Sequence, residues 1–88
     1  MKLNENFMLR QIVGSWVVVA VGPTSVDFNG MLRLNETGVL LWNRLKDGAD
    51  EAALVDALTA EYDVSAGQAA ADVRDFLRQL DEAGCLEA

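Results

Sequence analysis

The side chains best suited to grip something in this 88-residue sequence are Arg74 and Arg78, with Leu77 and Asp81 beside them. Spacings of four place Arg74 with Arg78, and Leu77 with Asp81, along one side of a helix. A guanidinium meets a carboxylate through a rigid fork of donors, so this patch suits an acidic and partly apolar segment. The opposing reading is local neutralisation, because Asp75, Asp81 and Glu82 stand close and an exposed ion pair contributes only about 0–1 kcal/mol. Leu77 also fits a wholly structural place in the core. Asp72 and Asp75 could meet a hard cation, but on a helix surface they read better as solvent-facing. Catalysis lacks its usual parts. The chain has no histidine to carry protons near neutral pH, a single cysteine, and no glycine-rich phosphate loop. Cys85, in an acidic tail with no histidine nearby, reads as a small apolar residue. The expectation is a protein that is not an enzyme and needs no cofactor or metal.

Eighty-eight residues, 51% of them apolar, give material for one core and one domain spanning 1–88. Domains of this size bury only about 60% of the unfolded chain's surface, so a partner or a second copy is a candidate cover for apolar surplus. The net charge of −7 is unevenly spread. Residues 1–34 hold three basic and two acidic side chains, whereas residues 35–88 hold four basic and twelve acidic ones. Such a field repels phosphate backbones and anionic lipid, which argues against nucleic-acid and membrane partners. The longest apolar run, Trp16 to Val21, cannot span a bilayer. The polar start without an h-region and the lone cysteine suggest a cytoplasmic protein.

The elements that must position these residues follow an order of strands, then helices. Phe7 to Val13 is patterned as a strand, Gly14-Ser15 as a turn, and the β-branched run Trp16 to Val21 as a second strand. Gly22-Pro23 ends it, Thr24 to Gly30 reads as a loop, and Met31 to Leu34 is a short third strand at an edge. Asn35 and Glu36 suit a helix start, and Val39, Leu40, Trp42 and Leu45 recur at helical spacing up to Lys46. Trp42 is expected in the core, and Trp16 either covers the sheet or joins a contact between copies. Gly38 would weaken this helix unless it permits a close backbone approach. Asp47-Gly48 reads as a turn. A second helix starts near Asp50 and carries Leu54, Val55 and Leu58. Ser65 and Gln68 match a capping box for a third helix, whose stripe is Ala69, Val73, Phe76, Leu77 and Leu80. Gly84 suits its left-handed end, with Cys85-Leu86 folding back as the apolar tail of the cap. The predicted fold is α+β, a three-stranded antiparallel sheet followed by three helices, winged-helix-like in its last pair.

Leu34-Asn35-Glu36-Thr37-Gly38 with Trp42, Asp47-Gly48, Leu54/Leu58 with Glu61-Tyr62-Asp63-Val64, and Asp72-Val73 leading to Phe76-Leu77 and Leu80 stand in an informative order. In these residues the chain resembles the PqqD family, named for pyrroloquinoline-quinone synthesis, over about Phe7 to Leu86. The resemblance implies a small winged-helix domain with an N-terminal three-stranded sheet that binds the leader of a ribosomally made precursor peptide. It implies presentation of that leader to a modifying enzyme, often of the radical S-adenosylmethionine type. It also implies that the peptide adds as a strand along the third strand and lies against the third helix. The peptide-binding residues would then be Met31, Leu32, Arg33, Leu34, Arg74, Leu77, Arg78 and Asp81. Lys46 precedes Asp47-Gly48 where quinone-pathway members commonly carry cysteine, so the sequence departs from that branch.

Strand addition also has a warrant in the residues themselves, because an edge at Met31 to Leu34 would offer unpaired amides and carbonyls. The rival from another class is a winged-helix regulator that reads DNA. Against it, the third helix carries Arg74 and Arg78 against Asp72, Asp75, Asp81 and Glu82. A structural dimerisation module is the remaining alternative.

Overall fold

The computed structural model describes residues 2–21 and 32–87. Its elements are β1 (Lys2–Leu3), β2 (Phe7–Ile12), β3 (Ser15–Ala20), β4 (Leu32–Leu34), α1 (Glu36–Lys46), α2 (Glu51–Glu61), α3 (Ala66–Glu82) and β5 (Leu86–Glu87). The strands β2, β3 and β4 form an antiparallel sheet in that order, and the three helices follow it, as the sequence pattern predicts. The expected sheet loses only its margins. Met31, the Thr24 to Gly30 loop and the Gly22-Pro23 stop lie outside the described residues.

Pleat parity explains which side of the sheet is buried. Phe7 and Leu9 pair with Ala20 and Val18, and Val18 and Trp16 pair in turn with Leu32 and Leu34. Phe7, Val18 and Leu34 from this face join Leu41, Trp42, Leu45, Leu54, Leu58, Val73, Phe76 and Leu80 in one core. Arg33 has the opposite parity, across from Val17, and is exposed. Val17, flanked in the ladder by Arg10 and Arg33, is buried although it belongs to this outer face. A cationic side chain whose stem lies along the sheet can cover such a position.

The β2–β3 turn sits one residue earlier than the sequence suggests. Ile12 pairs with Ser15, so the two-residue loop is Val13-Gly14 and not Gly14-Ser15. Both loop residues have positive φ, 49° for Val13 and 79° for Gly14, as a hairpin turn matched to strand twist requires. Glycine takes that region freely, but a β-branched residue there is an outlier. Val13 is also fully exposed, so packing gives nothing back. Val13→Asn is therefore expected to stabilise the domain by about 1 kcal/mol, read as a higher urea midpoint at unchanged slope. An unchanged or lower midpoint would refute strain at this turn.

Each helix starts where a side chain replaces a missing backbone acceptor. The Gly38 amide donates to Asn35 Oδ1 at 2.9 Å, Ala53 to Asp50 Oδ1 at 2.8 Å, and Gln68 to Ser65 Oγ at 3.1 Å. The capping box expected at Ser65 is only half present. The Gln68 side chain reaches forward and donates to Asp72 Oδ1 at 2.9 Å, one helical turn on. A charged acceptor at i+4 competes well with the neutral backbone route. Two helices end alike. After α1 the Ala49 amide donates to the Arg44 carbonyl and Gly48 to Leu45, with φ +95° at Gly48. After α3 Cys85 donates to Leu80 and Gly84 to Asp81, with φ +79° at Gly84. Both are paired left-handed caps, and at the second the fully buried Cys85 and Leu80 supply the apolar contact that goes with it.

One element was not anticipated. The ends of the chain pair as an antiparallel ribbon, Lys2 with Glu87 and Leu3 with Leu86, extended by the Asn4 amide donating to the Cys85 carbonyl at 2.7 Å. Two residues a side is too short for any alternation to show in the sequence.

Burial raises the Cys85 thiol from its ordinary 9.0 to about 11. The native state therefore holds this proton more tightly than the unfolded chain, so the contribution is intact below pH 9 and is lost as pH rises from about 9 to 11. Iodoacetamide at pH 8 is expected to label Cys85 at the unfolding rate or slower, and quickly in denaturant. Fast labelling of the native protein would contradict this burial.

Candidate functional site

The sheet has two outer strands, β2 and β4, and the surroundings of the two edges differ. Beside β4 lies a groove of about 370 Å³ lined by Arg33, Leu34, Asn35, Gly38, Phe76 and Gln79. It continues into a second hollow of about 260 Å³, which shares Asn35, Gly38, Phe76 and Gln79 and adds Thr37, Asp72 and Asp75. The site is therefore a trough with a strand on one side and α3 on the other, running past the start of α1.

Gly38 lets the first turn of α1 lie close to the end of β4. A Cβ there would stand 3.2 Å from Leu34 Cβ, tighter than ordinary packing, and 3.4 Å from Asn35 Oδ1. Asn35 Oδ1 is itself held by the Gly38 amide and by Thr37 Oγ1, which donates at 2.8 Å. The expectation of a close approach at Gly38 is thus met.

Of the residues expected to bind a peptide, Arg33 and Leu34 line the trough, Leu32 is half-buried on the same strand, and Met31 is outside the described residues. The α3 residues that line it are Asp72, Asp75, Phe76 and Gln79, at the spacing of one helix face. Arg74, Leu77, Arg78 and Asp81 are not in that lining. At 100° per residue, Arg74, Leu77 and Asp81 fall across the helix from Asp72 and Gln79. Leu77 is buried in the core, while Arg78 is exposed and pairs with Asp75 at 2.8 Å. Sequence reasoning used Phe76 for the core alone and passed over Gln79. Only the position of β4 relative to α3 reveals them as trough residues.

A larger hollow of about 880 Å³ opens on the β2 side of the sheet, between β1–β2 and the end of α1, with Trp16, Phe7 and Trp42 in its wall. Trp16 is 37% exposed there, whereas Trp42 is 3% exposed and belongs to the core as expected. Among the described residues no three His, Cys, Asp or Glu side chains converge as a metal site, and no helix is long and apolar enough to cross a membrane.

Strand order, helix order and the placement of the trough define a winged-helix-like α+β domain whose outer strand β4, unpaired on its far side among the described residues, lies beside the last helix. The chain belongs to the family of coenzyme PQQ synthesis protein D (PqqD), whose model it matches over residues 16–86. Two solved structures are similar over nearly their whole length. One is TbiB1 in complex with the TbiA(beta) leader peptide, at 30% identity and a TM-score of 0.82, covering 100% of this chain and 96% of that one. The other is a lasso peptide synthetase B1 complexed with its leader peptide, at 26% identity and a TM-score of 0.79, covering 99% and 96%. No curated protein sequence matches the chain.

Proposed function

We propose that this protein binds the leader region of a ribosomally made precursor peptide and presents it to a separate modifying enzyme, without catalysing a step itself. The observation that carries this reading is the edge of β4, unpaired among the described residues and set beside α3, in a chain similar to two proteins solved with leader peptides. Main-chain hydrogen bonds to β4 would supply affinity, and alternate side chains would supply register. Holding the leader raises the local concentration of the segment to be modified near its enzyme. Similarity to a lasso peptide synthetase B1 favours maturation of that kind; a radical S-adenosylmethionine enzyme is the other candidate partner.

Backbone NMR titration with leader peptides and with duplex DNA tests the proposal. Saturable shifts confined to residues 32–38 and 72–79, with peptide only, are expected. Shifts centred instead on residues 2–9 and 42–48 would move the site to the Trp16 hollow. Binding of DNA alone would replace the reading with that of a regulator.

A further inference from the structure

The trough presents its charges on two different parities of any strand laid along β4. Arg33 lies on the outer face of the sheet, exposed, and has no ion-pair partner among the described residues. A residue added directly beside it on that face is its cross-strand neighbour, where an opposite charge stabilises and a like charge repels. The next residue of the added strand points the other way, towards α3. There Phe76, 8% exposed, offers an apolar floor. One helical turn back is Asp72. Its Oδ1 accepts only from the neutral Gln68 amide, while Asp75 is already paired with Arg78. Four helical residues advance about 6 Å, and two strand residues about 6.6–6.8 Å. For a peptide running alongside α3, consecutive inward side chains thus step at nearly the interval from Phe76 to Asp72.

We infer that the trough reads a charge pattern: an acidic side chain outward beside Arg33, an apolar one inward on Phe76, and a basic one two residues further, inward at Asp72. This deepens the leader-binding reading and rests on it. The apolar contact anchors, and the two charges fix register and direction, because reversing the peptide or slipping it by one residue puts like charges together or turns the apolar residue to solvent. The Arg33 and Asp72 contacts are exposed, so each is worth about three- to fivefold in affinity at low salt, less at high salt.

The test is an in vitro display selection from a random twelve-residue peptide library on the intact protein and on Arg33→Glu and Asp72→Lys. Enriched peptides are then mapped by NMR on each protein. Peptides that shift residues 32–34 of the unaltered protein should carry the acidic–apolar–x–basic pattern in one chain direction. Arg33→Glu should exchange the acidic preference for a basic one, and Asp72→Lys the basic for an acidic one, with weakened binding of the original peptides by about three- to fivefold. If the same β4-binding peptides are enriched by all three proteins, the charge pattern is overturned while leader binding at the edge stands. If the enriched peptides shift residues 32–34 in none of the proteins, the edge reading itself falls.

Discussion

A proline placed in β4 is expected to reduce peptide binding by at least about tenfold while the domain stays folded, at one of two adjacent positions. Proline has no N–H and holds φ near −65°, so it is tolerated on an edge strand only where its lost donor faced away from the sheet. Leu32 and Arg33 are neighbours in an antiparallel ladder, and in such a ladder only one of two successive amides points at β3. The other points to the open edge. Leu32→Pro and Arg33→Pro therefore form a matched pair. One breaks the β3–β4 ladder and lowers stability. The other removes the donor that a bound strand would use and also clashes with that strand. Calorimetric titration with a peptide that shifts residues 32–34, together with a urea melt of each variant, separates them. If the variant that keeps its wild-type melt also binds as the wild type, strand addition at this edge is excluded.

The second large effect concerns the core. Trp42→Ala is expected to cost about 3–5 kcal/mol, the usual range for emptying a large aromatic site. Domains of this size rarely hold more than the lower part of the 5–15 kcal/mol range, so that loss leaves much of the chain unfolded at room temperature. Trp16→Phe should cost under about 1 kcal/mol, because Trp16 keeps over a third of its surface in solvent whereas Trp42 keeps almost none. Urea unfolding followed by far-ultraviolet circular dichroism distinguishes the two. Equal losses would mean that Trp16 anchors the sheet as firmly as Trp42 anchors α1.

The contrast between these tryptophans shows where sequence reading succeeds. Periodicity placed Trp42 and Leu45 on a buried helix face, though it chose the half-buried Val39 and Leu40 and passed over the buried Leu41; the sheet, the three helices and the cap at Gly84 were legible for the same reason. Each is a local rule: spacing of apolar residues, a capping side chain, a glycine where φ is positive. The β1–β5 ribbon was not legible because its only signal is the meeting of distant residues. The hairpin turn shifted by one residue because strand twist and register outweighed the dislike of Val13 for positive φ. The α3 side of the trough beside β4 was not legible for a related reason. Arg74 and Arg78 attract notice in a sequence because they are charged, yet which face of α3 meets β4 is a tertiary fact. That face holds Phe76 and Gln79, which composition gives no cause to single out.

The ribbon that ties the chain ends together has a mechanical consequence. Lys2 pairs with Glu87, so both ends leave the ribbon side by side, and a force separating them loads one pair at a time. That is the geometry of a zipper, which opens at lower force than strands sheared along their length. After Leu3 and Leu86 part, the load passes to the hydrogen bond between Asn4 and Cys85, and from Cys85 to the cap that closes α3. The same load enters the sheet through Asn4, whose carbonyl accepts from the Phe7 amide at the start of β2, so tension on the ribbon is felt by the sheet and by the helix bordering the trough together.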